Sequence, residues 1–174
     1  MPFIIPNLAP ACTIAAAGKF FYNRERNFSG VAAIKEAVAV KVNLTVEAKI
    51  DGEQERFHFA EEGRLVTLND HQHYLTYTEH QDGVATPVRI RLDEGQVSVT
   101  RDGARRTRLL FDPQAPTISH YRTEYGLLHL TVKTERLLSL HDLAAGKGHL
   151  VIKYQLHNGG GQIGDYQLDL RFER

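Results

Sequence analysis

From Val38 onward the chain alternates. Val38, Val40, Val42, Leu44, Val46, Ala48 and Ile50 are apolar, and Lys41, Asn43, Thr45, Glu47 and Lys49 stand between them. Such period-2 alternation is the pattern of a strand with one buried and one wet face. Asp51-Gly52 follows, the pair that best tolerates the positive φ angles of a tight hairpin turn. The same grammar then repeats. Phe57 and Phe59 flank His58, Glu62-Gly63 predicts a turn, and Leu65–Leu68 runs on to a further turn at Asn69-Asp70. Tyr74–Glu79 returns, and Asp82-Gly83 turns into Val88, Ile90 and Leu92, with Arg89 and Arg91 on the opposite face. Glu94-Gly95 leads to Val97 and Val99, and Asp102-Gly103 to Thr107, Leu109 and Phe111.

Past a corner marked by Pro113 and Pro116 come Ile118–Arg122 and then Leu128, Leu130 and Val132. Gly146–Gly148 opens Leu150, Ile152, Tyr154 and Leu156, and Gly159–Gly161 opens Tyr166, Leu168, Leu170 and Phe172. Only Glu135–Leu143 leaves room for a helical turn. Strands spaced roughly every 8–13 residues and joined by short hairpins make an all-β meander. Closure removes the unpaired edges, so the expected fold is a closed antiparallel meander β-barrel of about eight to ten strands. A two-sheet sandwich is the alternative.

Residues 1–37 read differently. Pro2, Pro6 and Pro10 punctuate them, no alternation is present, and their charge is +2 against −2 for the remainder. Ala9-Pro10-Ala11-Cys12 faintly resembles a lipoprotein cleavage box, but no Lys or Arg precedes it and proline breaks the apolar segment. Met1 is the only methionine. Lys35-Glu36-Ala37 can be encoded by a purine-rich ribosome-pairing signal, and Val40 can be read from a GTG codon. Translation is therefore expected to begin near Val40, with residues 1–37 as upstream sequence and 38–174 as the barrel domain. The alternative is a genuine tail with a short helix around Gly30–Ala39.

Three passages carry a family likeness: GRLVTLNDHQHYLTYTE from Gly63 to Glu79, VSVTRDGARRTRLLF from Val97 to Phe111, and YRTEYGLLHLTVKT from Tyr121 to Thr134. With the late Tyr154 strand they resemble the YwiB-like proteins, small bacterial domains of unknown function with a lipocalin-like (calycin) β-barrel. Glu124 departs from that family's pattern, which places proline before the Tyr125-Gly126 pair. The resemblance implies the barrel, implies a start near Val40, and implies no activity; ligand carriage follows only by analogy of fold.

Composition narrows the chemistry further. The 174 residues are 42% hydrophobic and 24% charged, which fits one globular domain. Twenty-one basic and 21 acidic residues cancel, so no whole-protein field favours nucleic acid or anionic membrane. One cysteine allows no internal disulfide, which suits a reducing, cytoplasmic setting. No apolar run is long enough to span a bilayer as a helix.

Parity puts Arg101 on the face of Val97 and Val99, Glu79 with Leu75 and Tyr77, and Arg136 with Leu128, Leu130 and Val132. Charges on an apolar face are costly unless paired or solvated. In one reading Arg101 sits at the barrel mouth and pairs with Glu79 or a backbone carbonyl. In the other, Arg101 and Arg136 anchor an anion in a pocket lined by Tyr74, Tyr77, Tyr121 and Tyr154, whose phenols offer apolar area and a directed hydrogen bond.

The outward parity collects Arg89, Arg91, Arg105, Arg106, Arg108 and Arg122, diluted by Asp93, Glu94 and Asp102. A solvated face is the plainer meaning, and a basic stripe for RNA or an acidic protein is the alternative. His71, His73 and His80 lie near one turn but match no recognised metal spacing, so no metal and no cofactor is expected. No serine or cysteine stands in a nucleophilic context. The sequence thus points to a non-enzymatic cytoplasmic barrel holding a small, partly apolar, anionic ligand in or at its mouth, with an arginine-faced interaction module as the alternative.

Overall fold

The structure, a computed structural model, describes residues 36–69, 72–103, 106–123 and 126–174, without the side chains of Asn69, Arg122 and Thr123. The expectations for residues 1–35 and for His71, Arg105 and the Arg122 side chain lie outside the described residues; of the alternative helix around Gly30–Ala39, the described part, Glu36–Ala39, is strand instead, paired with Arg64–Thr67.

Ten strands follow one another, with no helix among the described residues: β1 (Glu36–Ile50), β2 (Glu53–Asn69), β3 (Gln72–Gln81), β4 (Val84–Leu92), β5 (Val97–Asp102), β6 (Arg106–Phe111), β7 (Thr117–Thr123), β8 (Gly126–Asp142), β9 (Lys147–Asn158) and β10 (Gly161–Glu173). The extension boundary expected at residue 37 therefore falls inside β1. All pairings are antiparallel, in the order β6-β5-β4-β3-β2-β1-β10-β9-β8-β7. The first strand meets the last in a ladder from Lys41 opposite Glu173 to Lys49 opposite Asp165.

The sheet curls until its two edges, β6 and β7, approach across the Pro113–Pro116 corner. No backbone ladder joins them. Instead Thr117 Oγ1 donates to the Leu110 carbonyl and Ser119 Oγ donates to the Arg108 carbonyl. The result is a nearly closed barrel whose seam is stitched by side chains. Inside it, Val42, Leu44, Phe59, Val88, Ile90, Val97, Val99, Leu130, Ile152, Leu168 and Leu170 are buried, while Phe57 and Leu128 are half-buried.

Turn chemistry explains the hairpins. Asp51 and Asp82 adopt φ of 51° and 50°, and Gly52 and Gly83 follow at 86° and 78°, the paired positive angles of a two-residue turn. Two expectations need correction. Glu62-Gly63 does not turn: β2 runs straight through it. A Cβ on Gly63 would lie 2.8 Å from the Thr76 carbonyl oxygen and 2.9 Å from Val42 Cγ2, so glycine there permits close packing rather than a bend. Nor does Glu135–Leu143 form a helical turn, because β8 continues to Asp142 and a tight turn follows.

Replacing Thr117 by Val together with Ser119 by Ala removes both seam donors and leaves two carbonyls without them. The expected stability loss is about 1–3 kcal/mol, read by urea denaturation. A loss below about 0.5 kcal/mol would mean the seam contributes nothing to closure.

Candidate functional site

Inside the barrel one charged pair dominates. Arg101 Nε donates to Glu79 Oε2 at 3.1 Å, Arg101 NH2 donates to Oε1 at 2.9 Å, and Tyr77 OH donates to Oε1 at 3.2 Å. Tyr77, Val88 and Arg101 form one row across β3, β4 and β5, and the short Val88 lets Arg101 reach Glu79 over the intervening strand. Both charged side chains are buried, at 8% and 7% exposure. Burial alone would lower the Arg101 pKa, but the Glu79 charge and hydrogen bonds outweigh it and the net shift is upward. Burial and then the Glu79 charge push the Tyr77 phenol far above its usual range, so it stays a donor.

Tyr154 lies beyond this pair, its ring 4.8 Å from Phe111 and stacked 5.1 Å from Tyr166. Burial pushes its phenol up to about 12, against the opposing pull of Arg101. Tyr166 is raised by burial and then by Tyr154. The buried hydroxyls of Tyr121, Tyr166 and Thr134 have no hydrogen-bond partner among the described residues. Tyr166 was not among the residues singled out from sequence, although its parity with Leu168 and Leu170 could have found it.

These groups occupy the half of the barrel where β3, β5 and β7 end. Arg101, Glu79, Tyr77, Tyr121 and Tyr154 come inward as parity predicts. The charge, however, is compensated within the protein, as in the pairing reading. Two other expectations fail. Arg136 is exposed because the β8–β9 register shifts between Thr134 and Arg136; it stands opposite the exposed Lys153, and Leu137 takes the inward place. Tyr74 lies on the outer face, half-buried, opposite Val66 and Arg91, since it alternates with the inward Leu75.

The described concavities are elsewhere. A groove of about 850 Å³ opens beside the β8–β9 turn. It is crossed by a row of residues paired strand to strand: Leu140 on β8, His149 on β9, Arg171 on β10 and Asn43 on β1. Lys147 and His141 add basic groups, Asp142 and Glu173 acidic ones, and Phe172 lines the floor. Gly148 makes that floor possible, because a Cβ there would meet the Phe172 ring at 2.4 Å. His149 Nε2 contacts Asp169 Oδ1 at 2.9 Å, and Arg171 reaches the same oxygen only at 3.8 Å. A second hollow of about 230 Å³ continues from Asn43 and Arg171.

Burial, and then the His73 ring 6.4 Å away, hold His141 below the ordinary imidazole range. His120 and His129 form a cross-strand pair on β7 and β8. No group of three or more His, Cys, Asp or Glu among the described residues is placed to hold a metal. His80 is engaged by Glu61 through both its backbone and its ring. Among the described residues no helix is long and apolar enough to cross a membrane.

The architecture defines an all-antiparallel, ten-stranded β-barrel protein of a class whose members share a fold before they share an activity. Residues 42–170 match the family model described as a domain of unknown function, DUF1934, and the chain belongs to that family. It is 28% identical over 140 residues to the uncharacterized beta-barrel protein YwiB of Bacillus subtilis strain 168, covering 80% of this chain and 96% of that protein. The crystal structure of the B. subtilis ywiB protein superposes with a TM-score of 0.69 at 27% identity, covering 81% of this chain and 94% of that one.

Two outcomes follow from the site's electrostatics. Arg101→Met leaves the Glu79 carboxylate buried without its cation and should cost about 3–5 kcal/mol, and adding Glu79→Leu should restore most of it. Denaturant titration of the double-mutant cycle reads this; a neutral Arg101→Met would contradict it. For His141 the folded state binds a proton less readily than the unfolded chain. Stability should therefore fall as pH drops through the usual imidazole range, and His141→Gln should flatten that slope in melts between about pH 7.5 and about 5.5.

Proposed function

We propose that this chain acts by binding a small, partly apolar anion, in the groove beside the β8–β9 turn rather than inside the barrel. The observation that carries this reading is the groove's size and row of side chains. About 850 Å³ lies within the span of small-molecule sites, and its rim aligns an apolar residue, an imidazole, a guanidinium and an amide. Arg171 is 70% exposed and only loosely held by Asp169, so it can turn toward an incoming carboxylate or phosphate. Lys147 adds a second point charge from β9. Leu140, 59% exposed, supplies apolar surface that gains by being covered.

Arg101 is the poorer anchor. A ligand reaching it would compete with a carboxylate that already holds two of its five N–H donors. The bound molecule is placed instead against the outer rim, with its acidic group toward Arg171 and Lys147 and its apolar part over Leu140.

Native mass spectrometry of protein purified from its own host should retain the ligand, and calorimetry with decanoate and decyl phosphate tests the class. Arg171→Gln and Lys147→Gln should each weaken binding by about 1.5–3 kcal/mol, the scale of a charge-assisted hydrogen bond. The Arg101→Met, Glu79→Leu double variant should bind as the parent does. Unchanged affinity in Arg171→Gln with Lys147→Gln would remove the groove from consideration.

A further inference from the structure

The outer face of β2–β6 carries a second feature, separate from the groove. One row across five strands reads Arg64, Thr76, Arg89, Thr100, Arg108, each residue directly opposite the next. The three arginines are exposed and recur every second strand, so the row spans about 19 Å, four inter-strand spacings. None of the three has an ion-pair partner among the described residues. The arginines in the flanking rows do: Arg91 Nε lies 2.8 Å from Asp93 and Arg106 Nε lies 3.2 Å from Asp102. Glu62, two residues before Arg64, stands opposite Lys41. Of the short residues between the arginines, Thr100 is buried and Thr76 half-buried. Tyr74 stands in the adjoining row beside Arg91, with its ring half-buried on this same face.

We propose that this face binds single-stranded nucleic acid, laid across the strands with its phosphates on Arg64, Arg89 and Arg108 and a base against Tyr74. A line of unpaired guanidiniums with short, low-lying side chains between them suits a linear polyanion. A polynucleotide also brings flat bases for the aromatic ring, which an acidic peptide lacks. Because the chain's 21 basic and 21 acidic residues cancel, the attraction is local and falls steeply with salt. The residues that matter differ from the whole outward arginine set: Arg64 joins, and Arg91 and Arg106, already neutralised, leave.

The test is fluorescence anisotropy with a labelled mixed-sequence RNA decamer across a salt series, on the full chain. Three phosphates should give a slope of log K against log salt of about −2. The triple change Arg64→Gln, Arg89→Gln, Arg108→Gln should lower affinity at least tenfold and bring the slope near zero, with an unchanged thermal melt. Arg91→Gln with Arg106→Gln should stay within about twofold of the parent. Tyr74→Ala should weaken binding about fivefold or more while keeping the slope, the mark of lost stacking. No binding at low salt, equal losses in the triple and double variants, or competition by polyglutamate as strong as by RNA would each overturn the proposal. The groove variants Arg171→Gln and Lys147→Gln should not affect RNA binding, so the two sites stand or fall separately.

Discussion

A sheet with free edges presents rows of unpaired N–H and C=O groups, and this structure is organised around removing them. Curling carries β6 to β7, where hydroxyls of Thr117 and Ser119 reach the carbonyls of Leu110 and Arg108. Once that seam meets, every strand acquires an inside and an outside. The inward parity becomes a filled interior, and the outward parity becomes the surface on which both proposed sites lie. A slip of one residue in any ladder would exchange the two, so the register carries both proposed sites as well as the fold.

The interior shows how that exchange is policed. Arg101 and Glu79 could not both be buried unless each answered the other, and they do so with two hydrogen bonds reinforced by Tyr77. Replacing such a pair by well-packed apolar residues is often neutral or stabilising, so its value is not bulk stability. A charged pair satisfied in only one geometry favours a single relative placement of β3 and β5. The proposed recognition of charged ligands then falls to side chains that can still move. Arg171 and Arg64 lie outside, and neither is locked to a carboxylate at close range.

Much of this could be read from the residues alone, and the failures have physical causes. The Asp51-Gly52 and Asp82-Gly83 turns were legible because both residues must take positive φ, which that pair tolerates. Glu62-Gly63 looks alike, but its glycine answers to Val42 and Thr76, contacts that exist only after three strands have packed. Arg136 was misplaced because a register shift after Thr134 moves the parity by one, and no sequence signal marks it. Tyr74 was recoverable, since its spacing from Leu75 and Tyr77 already put it on the other face. The groove was not, because Leu140, His149, Arg171 and Asn43 come from four strands, two of them joined only by the pairing of β1 with β10.

That pairing has a consequence for how the molecule comes into being. Nearly every ladder joins strands that are consecutive along the chain and can zip as they emerge from the ribosome. The exception is β1, whose second edge waits for β10, the last of the ten strands. Throughout synthesis one flank of the first hairpin is therefore an open template for strand pairing. The charges of Lys41, Glu47 and Lys49, on its solvent side, stand where they can deter foreign strands until β10 arrives. Local at almost every step, the barrel can still close only when β10 has been made.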